Sequence, residues 1–337
     1  MARIKYPIGI QTFSEIISEG YLYVDKTQLV YDLVDTNKYV FLSRPRRFGK
    51  SLLMSTLEAY FRGERELFKG LAMEKLESEW ETYPVFRFDL SGEYFDHPDK
   101  LSDHIHSYLD DFSETYSIET EGSISNRFST LIKKVHFQTG KKIVILIDEY
   151  DKPLLDSLHK DELHGNLRDM LRGFYSVIKA SDQYIRFAML TGITKFSKVS
   201  VFSGLNNLED ISMLSTYNDI CGISETEFRR DFVASIANFS IEHDMEESRT
   251  WEEFKTMYDG YHFASRGEGI YNPFSVLNAF KRNEFGNFWY ESGSPSYLVN
   301  LIERHNYSLD RLEGEYRSQT ALNDISDMGY DIVPLLY

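Results

Sequence analysis

The chain has 337 residues, and its 37 Lys and Arg against 53 Asp and Glu give a net charge of −16. This length suggests about two domains, and 42% hydrophobic with 15% aromatic residues excludes a mainly disordered chain. The charge excludes a broad nucleic-acid-coating surface, because such a surface needs clustered Lys and Arg. It is compatible with a small basic pocket.

The sequence predicts a cytoplasmic protein without membrane contact. Cys221 is the single cysteine, so the chain cannot form an intrachain disulfide. The first residues lack the apolar stretch of a signal peptide. No stretch reaches the ~20 apolar residues that a helix needs to cross a bilayer.

Four short apolar runs of strand length alternate with segments of helical spacing. Their β-branched and aromatic residues favour strands over helix fragments. The predicted strands are Tyr39–Leu42, Val85–Leu90, Ile143–Ile147 and Ile185–Leu190. Between them, Leu53, Leu57 and Phe61 share one helix face, as do apolar residues spaced from Leu163 to Ile178. The alternation predicts a layered α/β domain with a mainly parallel sheet.

After about Ser215 the pattern becomes mostly helical. The predicted helices are Glu225–Ile241, Thr250–Tyr258, Pro273–Lys281 and Pro295–His305. We therefore expect a lead-in segment over residues 1–38, an α/β core over 39–215 and a helical domain over 216–337. The chain ends on an apolar run, Ile332–Tyr337. This ending predicts that the natural protein continues, which would leave the helical domain truncated, or that the tail is docked.

A phosphate-binding pattern follows the first predicted strand. Gly49, Lys50 and Ser51 match the end of G-x-x-x-x-G-K-[ST], and Arg44 takes the position of the first glycine. Gly49 would allow close approach of the backbone to phosphates, Lys50 would reach the β- and γ-phosphates, and Ser51 would hold Mg²⁺. The predicted nucleotide-binding residues are Arg44, Pro45, Arg46, Arg47, Phe48, Gly49, Lys50, Ser51 and Leu52.

Two alternatives fit the same segment. Gly-Lys-Ser is common at helix starts, where Ser51 or a neighbour merely caps the helix. Arg44, Arg46 and Arg47 also suit a plain anion-binding or nucleic-acid-backbone patch.

A second motif places two acids after the third predicted strand. Ligands of open α/β sheets bind at the carboxyl edge of the strands. Asp148 is predicted to hold Mg²⁺, directly or through water, and Glu149 to orient or deprotonate the attacking water. An acidic, solvated turn is the alternative. Both motifs together favour a nucleotide-phosphate site over either alternative.

The fourth predicted strand ends at Thr191. Thr191 is a candidate catalytic residue that would sense the γ-phosphate or position water, with Thr194 and Lys195 behind it. The alternative is that Thr191 and Gly192 only form a turn.

Several other polar residues give weaker predictions of a functional site. The histidine pairs His104/His106 and His159/His164 lack the further ligands that a zinc site needs. The identity of an arginine finger stays open, with Arg168, Arg172, Arg229 and Arg230 as candidates.

Five segments together resemble the predicted AAA-ATPase-like proteins that are abundant in gut bacteria. They are Tyr23–Thr27, Arg44–Ser51, Leu146–Pro153, Thr191–Ser212 and Tyr258–Phe263. The resemblance implies a three-layer P-loop NTPase core with a helical lid, and it implies ATP and Mg²⁺ as cofactors. It also implies a C-terminal nuclease-like domain of the PD-(D/E)xK class in longer members, with DNA as a partner of that domain. The resemblance also implies that the Tyr21–Leu33 segment runs under the adenine, with Asp25, Lys26 or Thr27 near it. From the residues alone, Asp25–Thr27 equally fits the N-terminal cap region of a helix.

The main functional hypothesis is a Mg²⁺-dependent ATPase that uses Lys50, Ser51, Asp148 and Glu149. The first alternative is a nucleotide-gated switch or scaffold with negligible turnover that regulates an attached nuclease-like domain. The second is a nucleic-acid-binding module. An oligomer is compatible with the sequence, and the sequence does not specify one.

Overall fold

This computed structural model describes residues 4–158, 160–194 and 207–288. The strands are β1 (Tyr39–Ser43), β2 (Val85–Asp89), β3 (Ile143–Asp148), β4 (Ile185–Gly192), β5 (Glu209–Asp210), β6 (Ile223–Ser224), β7 (Asp259–Tyr261) and β8 (Ile270–Tyr271). The helices are α1 (Phe13–Ser18), α2 (Thr27–Thr36), α3 (Lys50–Phe61), α4 (Ala72–Leu76), α5 (Pro98–Tyr116), α6 (Ile124–Thr139), α7 (Lys152–Ser157), α8 (Asp161–Ala180), α9 (Glu225–Asp231), α10 (Val233–Glu242), α11 (Glu247–Tyr258) and α12 (Pro273–Arg282).

The described residues form two compact units, each discontinuous in sequence. The first unit contains residues 4–36, 46–81 and 210–288. The second unit contains residues 37–45, 82–158, 160–194 and 207–209. The linear boundaries expected at residues 38 and 215 stay a prediction.

The main sheet has the strand order β2-β3-β4-β1-β5. The pairs β2–β3, β3–β4 and β1–β4 are parallel. The α/β fold class is confirmed, because this order is typical of a P-loop core, and so are the four predicted strands. Each strand extends one or two residues further, or ends one residue earlier, than the apolar run that predicted it.

One face of the sheet in the second unit packs against α5, α6 and α8. Side chains two residues apart on a strand point to the same face. Ile143, Ile145 and Ile147 of β3 are all fully buried in this core. On the neighbouring strand, the ring of Phe88 lies 5.1 Å from that of Phe174 of α8. Burial on both sides explains why these strands read as continuous apolar runs.

The C-terminal region of the first unit contains α9 to α12 and a small antiparallel sheet of order β6-β8-β7. A single helix predicted over Glu225–Ile241 is wrong, because the structure divides it at Phe232. This residue has φ −110° and ψ 12°, outside helical geometry, and its side chain is fully buried. The helix predicted over Pro295–His305 lies outside the described residues.

Within the described parts of the chain, we find no helix with the length and apolar character needed to span a membrane.

Candidate functional site

The carboxyl edge of the sheet in the second unit gathers the polar residues that end its strands. Asp148 is the last residue of β3, and Thr191 is the next-to-last residue of β4. The parallel register pairs Ser43 at the end of β1 with Gly192, and Leu42 with Thr191. Parallel pairing therefore brings residues that are far apart in sequence to one edge, where α/β sheets bind ligands.

The two oxygens of the Asp148 carboxylate have different surroundings. Oδ1 accepts a hydrogen bond from the Thr191 hydroxyl at 2.5 Å and one from the Glu149 backbone N–H at 3.1 Å. Oδ2 is buried and has no hydrogen-bond partner among the described residues. A buried carboxylate oxygen without a donor is costly, unless a cation or its water completes the site. Asp148 therefore fits a divalent cation ligand.

Glu149 follows Asp148 with a left-handed backbone. Its φ is 53°, a conformation that non-glycine residues rarely adopt outside turns and functional sites. Its side chain is half-buried, and its carbonyl accepts a hydrogen bond from the Lys152 N–H at 3.0 Å. The chain thus turns sharply after β3, so that two successive acids leave the end of one strand in different directions.

Tyr150 and Asp151, which the sequence analysis did not select as site residues, link the end of β3 to the end of β4. Asp151 Oδ2 accepts three hydrogen bonds, from the backbone N–H groups of Ile193 and Thr194 and from the Thr194 hydroxyl, at 2.7–2.9 Å. The Tyr150 N–H donates to the Thr191 carbonyl at 2.9 Å, and its hydroxyl donates to the Thr194 carbonyl at 2.9 Å. Two signals in the sequence could have indicated them: Asp151 is a third acid shortly after β3, and both residues lie in the Leu146–Pro153 segment that carries the family resemblance.

Gly192 is required for this linkage. A Cβ atom at this position would collide with the ring of Tyr150 and lie 2.7 Å from Asp151 Oδ1. The Tyr175 hydroxyl donates to the Tyr150 carbonyl at 3.3 Å, and burial raises the pKa of Tyr175 well above its usual range, so it stays a donor at neutral pH. Close packing therefore holds the edge around Asp148 in one arrangement.

The segment predicted to bind phosphate ends at the first residues of α3. Gly49 precedes the helix with φ 95°, a left-handed conformation that suits glycine, and its backbone is exposed. Lys50 is the first residue of α3 and is buried, whereas Ser51 and Leu52 are half-buried. The predicted order of strand, loop and helix is therefore present, and the free N–H groups of a helix start suit an anion.

The cations of the loop differ in their surroundings. Arg44 is buried, and its Nη1 donates to the Ser43 carbonyl at 3.0 Å. Arg46 and Arg47 are exposed. The Arg47 guanidinium lies 4.9 Å from the ring centroid of Phe274 in the first unit. Burial of Arg44 and Lys50 leaves a smaller exposed basic surface than the sequence predicts, which disfavours a nucleic-acid patch.

An apolar cleft lies beside Gly49 within the first unit. Its cavity has a volume of about 100 Å³. Residues that line it include Tyr23, Val24, Phe48, Gly49, Leu52, Cys221 and Leu277. Burial raises the pKa of the Tyr23 phenol, which keeps it protonated at neutral pH. The cleft is mostly apolar and lies next to Gly49.

Asp25 uses its carboxylate at the start of α2. Oδ1 accepts hydrogen bonds from the Thr27 N–H at 2.8 Å and the Thr27 hydroxyl at 2.7 Å, and Oδ2 accepts one from the Ala72 N–H at 2.8 Å. This geometry corresponds to the capping alternative for Asp25. Its neighbour Lys26 lines the cleft instead and forms a salt bridge with Glu227.

The remaining candidates have structural partners. Arg229 pairs with Glu225 and lies 5.1 Å from the Trp251 ring centroid, while Arg168 and Arg172 contact Asp169. His104 Nε2 donates to the Asp89 carbonyl at 2.8 Å. Lys195 and His159 lie outside the described residues. Among the residues that are described, no group of three or more His, Cys, Asp and Glu could hold a metal ion.

The family described as "Predicted AAA-ATPase" matches residues 7–202, more than half of the chain. The chain is also similar to an uncharacterised protein from the region 5′ of vnfD in Azotobacter chroococcum mcd 1. The two are 42% identical over 304 residues, which are 90% of this chain and 57% of that protein. The chain therefore spans little more than half the length of this relative.

Gly192→Ala tests the packing at the carboxyl edge. We expect it to lower the free energy of unfolding by about 1–3 kcal/mol, because the new methyl group collides with the Tyr150 ring. Urea unfolding followed by circular dichroism measures the change. Gly165→Ala is the matched control: a Cβ there meets nothing within 4 Å, and alanine in the middle of α8 should stabilise by up to ~1 kcal/mol. Equal stabilities of the two variants would contradict the packing.

Proposed function

The chain belongs to the predicted AAA-ATPase family, and from this premise we propose that it binds ATP with Mg²⁺ and hydrolyses it. The observation that carries this proposal is the Asp148 carboxylate, buried at the carboxyl edge of the sheet with one oxygen lacking a hydrogen-bond donor among the described residues. Membership of an ATPase family supports nucleotide binding. The buried Asp148 carboxylate supports binding of the metal ion that accompanies the nucleotide, because it lies at the edge where α/β sheets bind ligands.

We assign phosphate binding to the loop that continues the chain after β1. The backbone from Arg44 to Ser51 would surround the phosphates, with Gly49 allowing their close approach and the start of α3 contributing N–H donors. Lys50 would neutralise charge on the β- and γ-phosphates. Its position as the first residue of α3, directly after Gly49, supports this role.

Asp148 Oδ2 also fits a ligand of Mg²⁺. On the sequence motif alone we keep the Ser51 hydroxyl as a second predicted ligand. Phosphate oxygens and water would supply the other ligands, as is usual for this ion. When bound, Mg²⁺ would neutralise negative charge that develops on the phosphates. Thr191 donates its hydroxyl hydrogen to Asp148, which supports a positioning role for Thr191 in place of contact with the γ-phosphate.

Glu149 is our candidate for orienting the attacking water and accepting its proton. It directly follows Asp148, and its backbone is left-handed with φ 53°. Strained backbone of this kind is common where a side chain must be aimed for function. In-line attack of that water on the γ-phosphate would release ADP and phosphate.

We assign the adenine to the apolar cleft of the first unit. The cleft adjoins Gly49, so a base in it would have its phosphates near the loop. Its lining is mostly apolar and includes the aromatic residues Tyr23 and Phe48, as is common in small-molecule sites. In that case Asp25 would cap α2 without contacting the base. Tyr23 and Lys26, which line the cleft, would be nearer to the base.

A nucleotide-gated switch with slow turnover is the second candidate. The replacement of the first loop glycine by Arg44, which is buried, supports it, because this change alters the part of the loop that wraps the phosphates. In that case the switch would act on a nuclease-like domain in cis, with DNA as the partner of that domain. The cytoplasmic location and an oligomer remain predictions as well.

Glu149→Gln separates hydrolysis from binding. We expect the variant to lose on the order of 100-fold or more of its ATPase rate, since the amide cannot accept a proton from water. Its affinity for ATP with Mg²⁺ should stay close to that of the unaltered protein. Phosphate release and calorimetric titration of ATP measure the two quantities. Glu162→Gln, an exposed substitution in α8, is the control and should change neither.

The outcomes discriminate between the two candidate functions. Wild-type protein that binds ATP but hydrolyses it at the rate of Glu149→Gln would favour the switch. Wild-type protein that neither binds nor hydrolyses ATP with Mg²⁺ would rule out both candidate functions.

Leu277→Trp tests the cleft. The larger side chain would occupy the cavity, so we expect ATP affinity to fall more than about tenfold while the protein stays folded. The control is Val233→Trp, on an exposed position of α10 that does not line the cleft. Calorimetric titration gives the affinity, and thermal unfolding gives the stability of both variants. Unchanged ATP binding by a folded Leu277→Trp protein would argue against adenine in this cleft.

A further inference from the structure

Phe48, the residue before Gly49, points its ring into the first unit. The ring is 1% exposed. It meets the edges of two aromatic rings: Tyr261 at 4.6 Å with an interplanar angle of 72°, and Phe263 at 5.3 Å with an angle of 84°. Edge-to-face pairs at these distances stabilise beyond their buried area. We call Tyr261 and Phe263 the aromatic bracket.

The backbone of Phe48 is fixed as well. The Gly222 N–H donates to the Phe48 carbonyl at 3.0 Å. Gly222 has φ 95°, and a Cβ atom there would overlap the Ile270 side chain and lie 3.2 Å from the Phe48 ring. A residue with a side chain would therefore clash and carry a strained backbone. Phe48 is thus held by its ring and by its main chain.

The aromatic bracket has its own supports. Tyr261 ends β7, which pairs with β8. β8 leads directly into Asn272, the residue that caps α12. Tyr261 and Phe263 also stack on each other at 5.9 Å. The aromatic bracket is therefore connected through β7 and β8 to α12 of the C-terminal region.

This anchor has a consequence for the loop. Arg44 replaces the glycine that begins the usual phosphate loop, so the glycine of the motif that remains is Gly49, directly after Phe48. Phe48 and Gly49 line the apolar cleft, whereas Tyr261 and Phe263 do not. A change in the bracket can therefore reach a nucleotide in the cleft through Phe48, without removing any atom that lines the cleft.

We propose that Tyr261 and Phe263 are positioning residues that fix the phosphate loop through Phe48, so that ATP binding and the order of residues 258–263 are energetically coupled. This inference rests on the proposed function, because it concerns the same loop. Coupling is reciprocal: if the ordered bracket favours ATP binding, bound ATP must favour the ordered bracket by the same factor.

The first test uses a pair of variants at Tyr261. Tyr261→Leu removes the ring, and we expect it to weaken ATP binding about threefold to tenfold, the range that one lost aromatic pair would produce. Tyr261→Phe keeps the ring and should bind ATP within about twofold of the wild type. Phe263→Leu should resemble Tyr261→Leu, which provides a second variant in case the first fails to fold.

Phe285→Leu is the matched control. Phe285 is a half-buried aromatic residue of the same unit that packs on Phe239 and Phe254, away from the loop residue Phe48. We expect it to lower thermal stability as Tyr261→Leu does, without weakening ATP binding. If both leucine variants weaken binding equally, the effect follows from general destabilisation and the proposed positioning is wrong.

The second test compares hydrogen exchange in the wild-type protein and in Phe48→Leu. Hydrogen exchange of the 258–263 segment in the wild-type protein should slow on addition of ATP with Mg²⁺, and in Phe48→Leu this slowing should be reduced. Wild-type protein that binds ATP without any slowing would overturn the coupling and leave the proposed function intact. Wild-type protein that does not bind ATP at all would overturn the proposed function, and the coupling with it.

Discussion

Parallel pairing of β1, β3 and β4 is the constraint on which the candidate site depends. Because all three strands run in one direction, their carboxyl ends meet at one edge, although Ser43, Asp148 and Thr191 are far apart in the chain. The Thr191 hydroxyl can then fix one oxygen of Asp148. A shift in register by one residue would turn these side chains to the opposite face. The buried apolar residues of the same strands oppose such a shift. Packing in the core of the second unit therefore fixes the positions of Asp148 and Thr191.

Two buried aspartates lie at this edge, and each is hydrogen-bonded through one carboxylate oxygen. Asp151 Oδ2 accepts three hydrogen bonds from the end of β4, which tie the strand ends together. Asp148 Oδ1 accepts hydrogen bonds from the Thr191 hydroxyl and the Glu149 N–H. These donors offset part of the cost of burying each charge. Two carboxylates buried at one edge also form an environment that a cation would stabilise.

The fold was more predictable from sequence than the contacts of the site. Strands such as Ile143–Asp148 are buried on both faces. Each of them is therefore a continuous apolar run that can be recognised from its own residues alone. The break at Phe232 was missed, because helical spacing continues across it and only burial of the ring by tertiary packing forces the turn. Asp151 was missed because its partners lie at the end of another strand. The sequence shows how many basic residues the loop contains. It does not show which of them are exposed, because exposure depends on packing, and Arg44 is buried.

The left-handed backbone of Glu149 has a consequence for evolution and engineering. A side chain at φ 53° costs of order 1 kcal/mol relative to glycine, which adopts this conformation freely. Glycine at this position would therefore favour the fold and delete the carboxylate at once. Selection for thermostability alone would move residue 149 towards glycine. Under the proposed role of Glu149 in activating water, selection for turnover would keep the acid, so stability and activity would be opposed at this position.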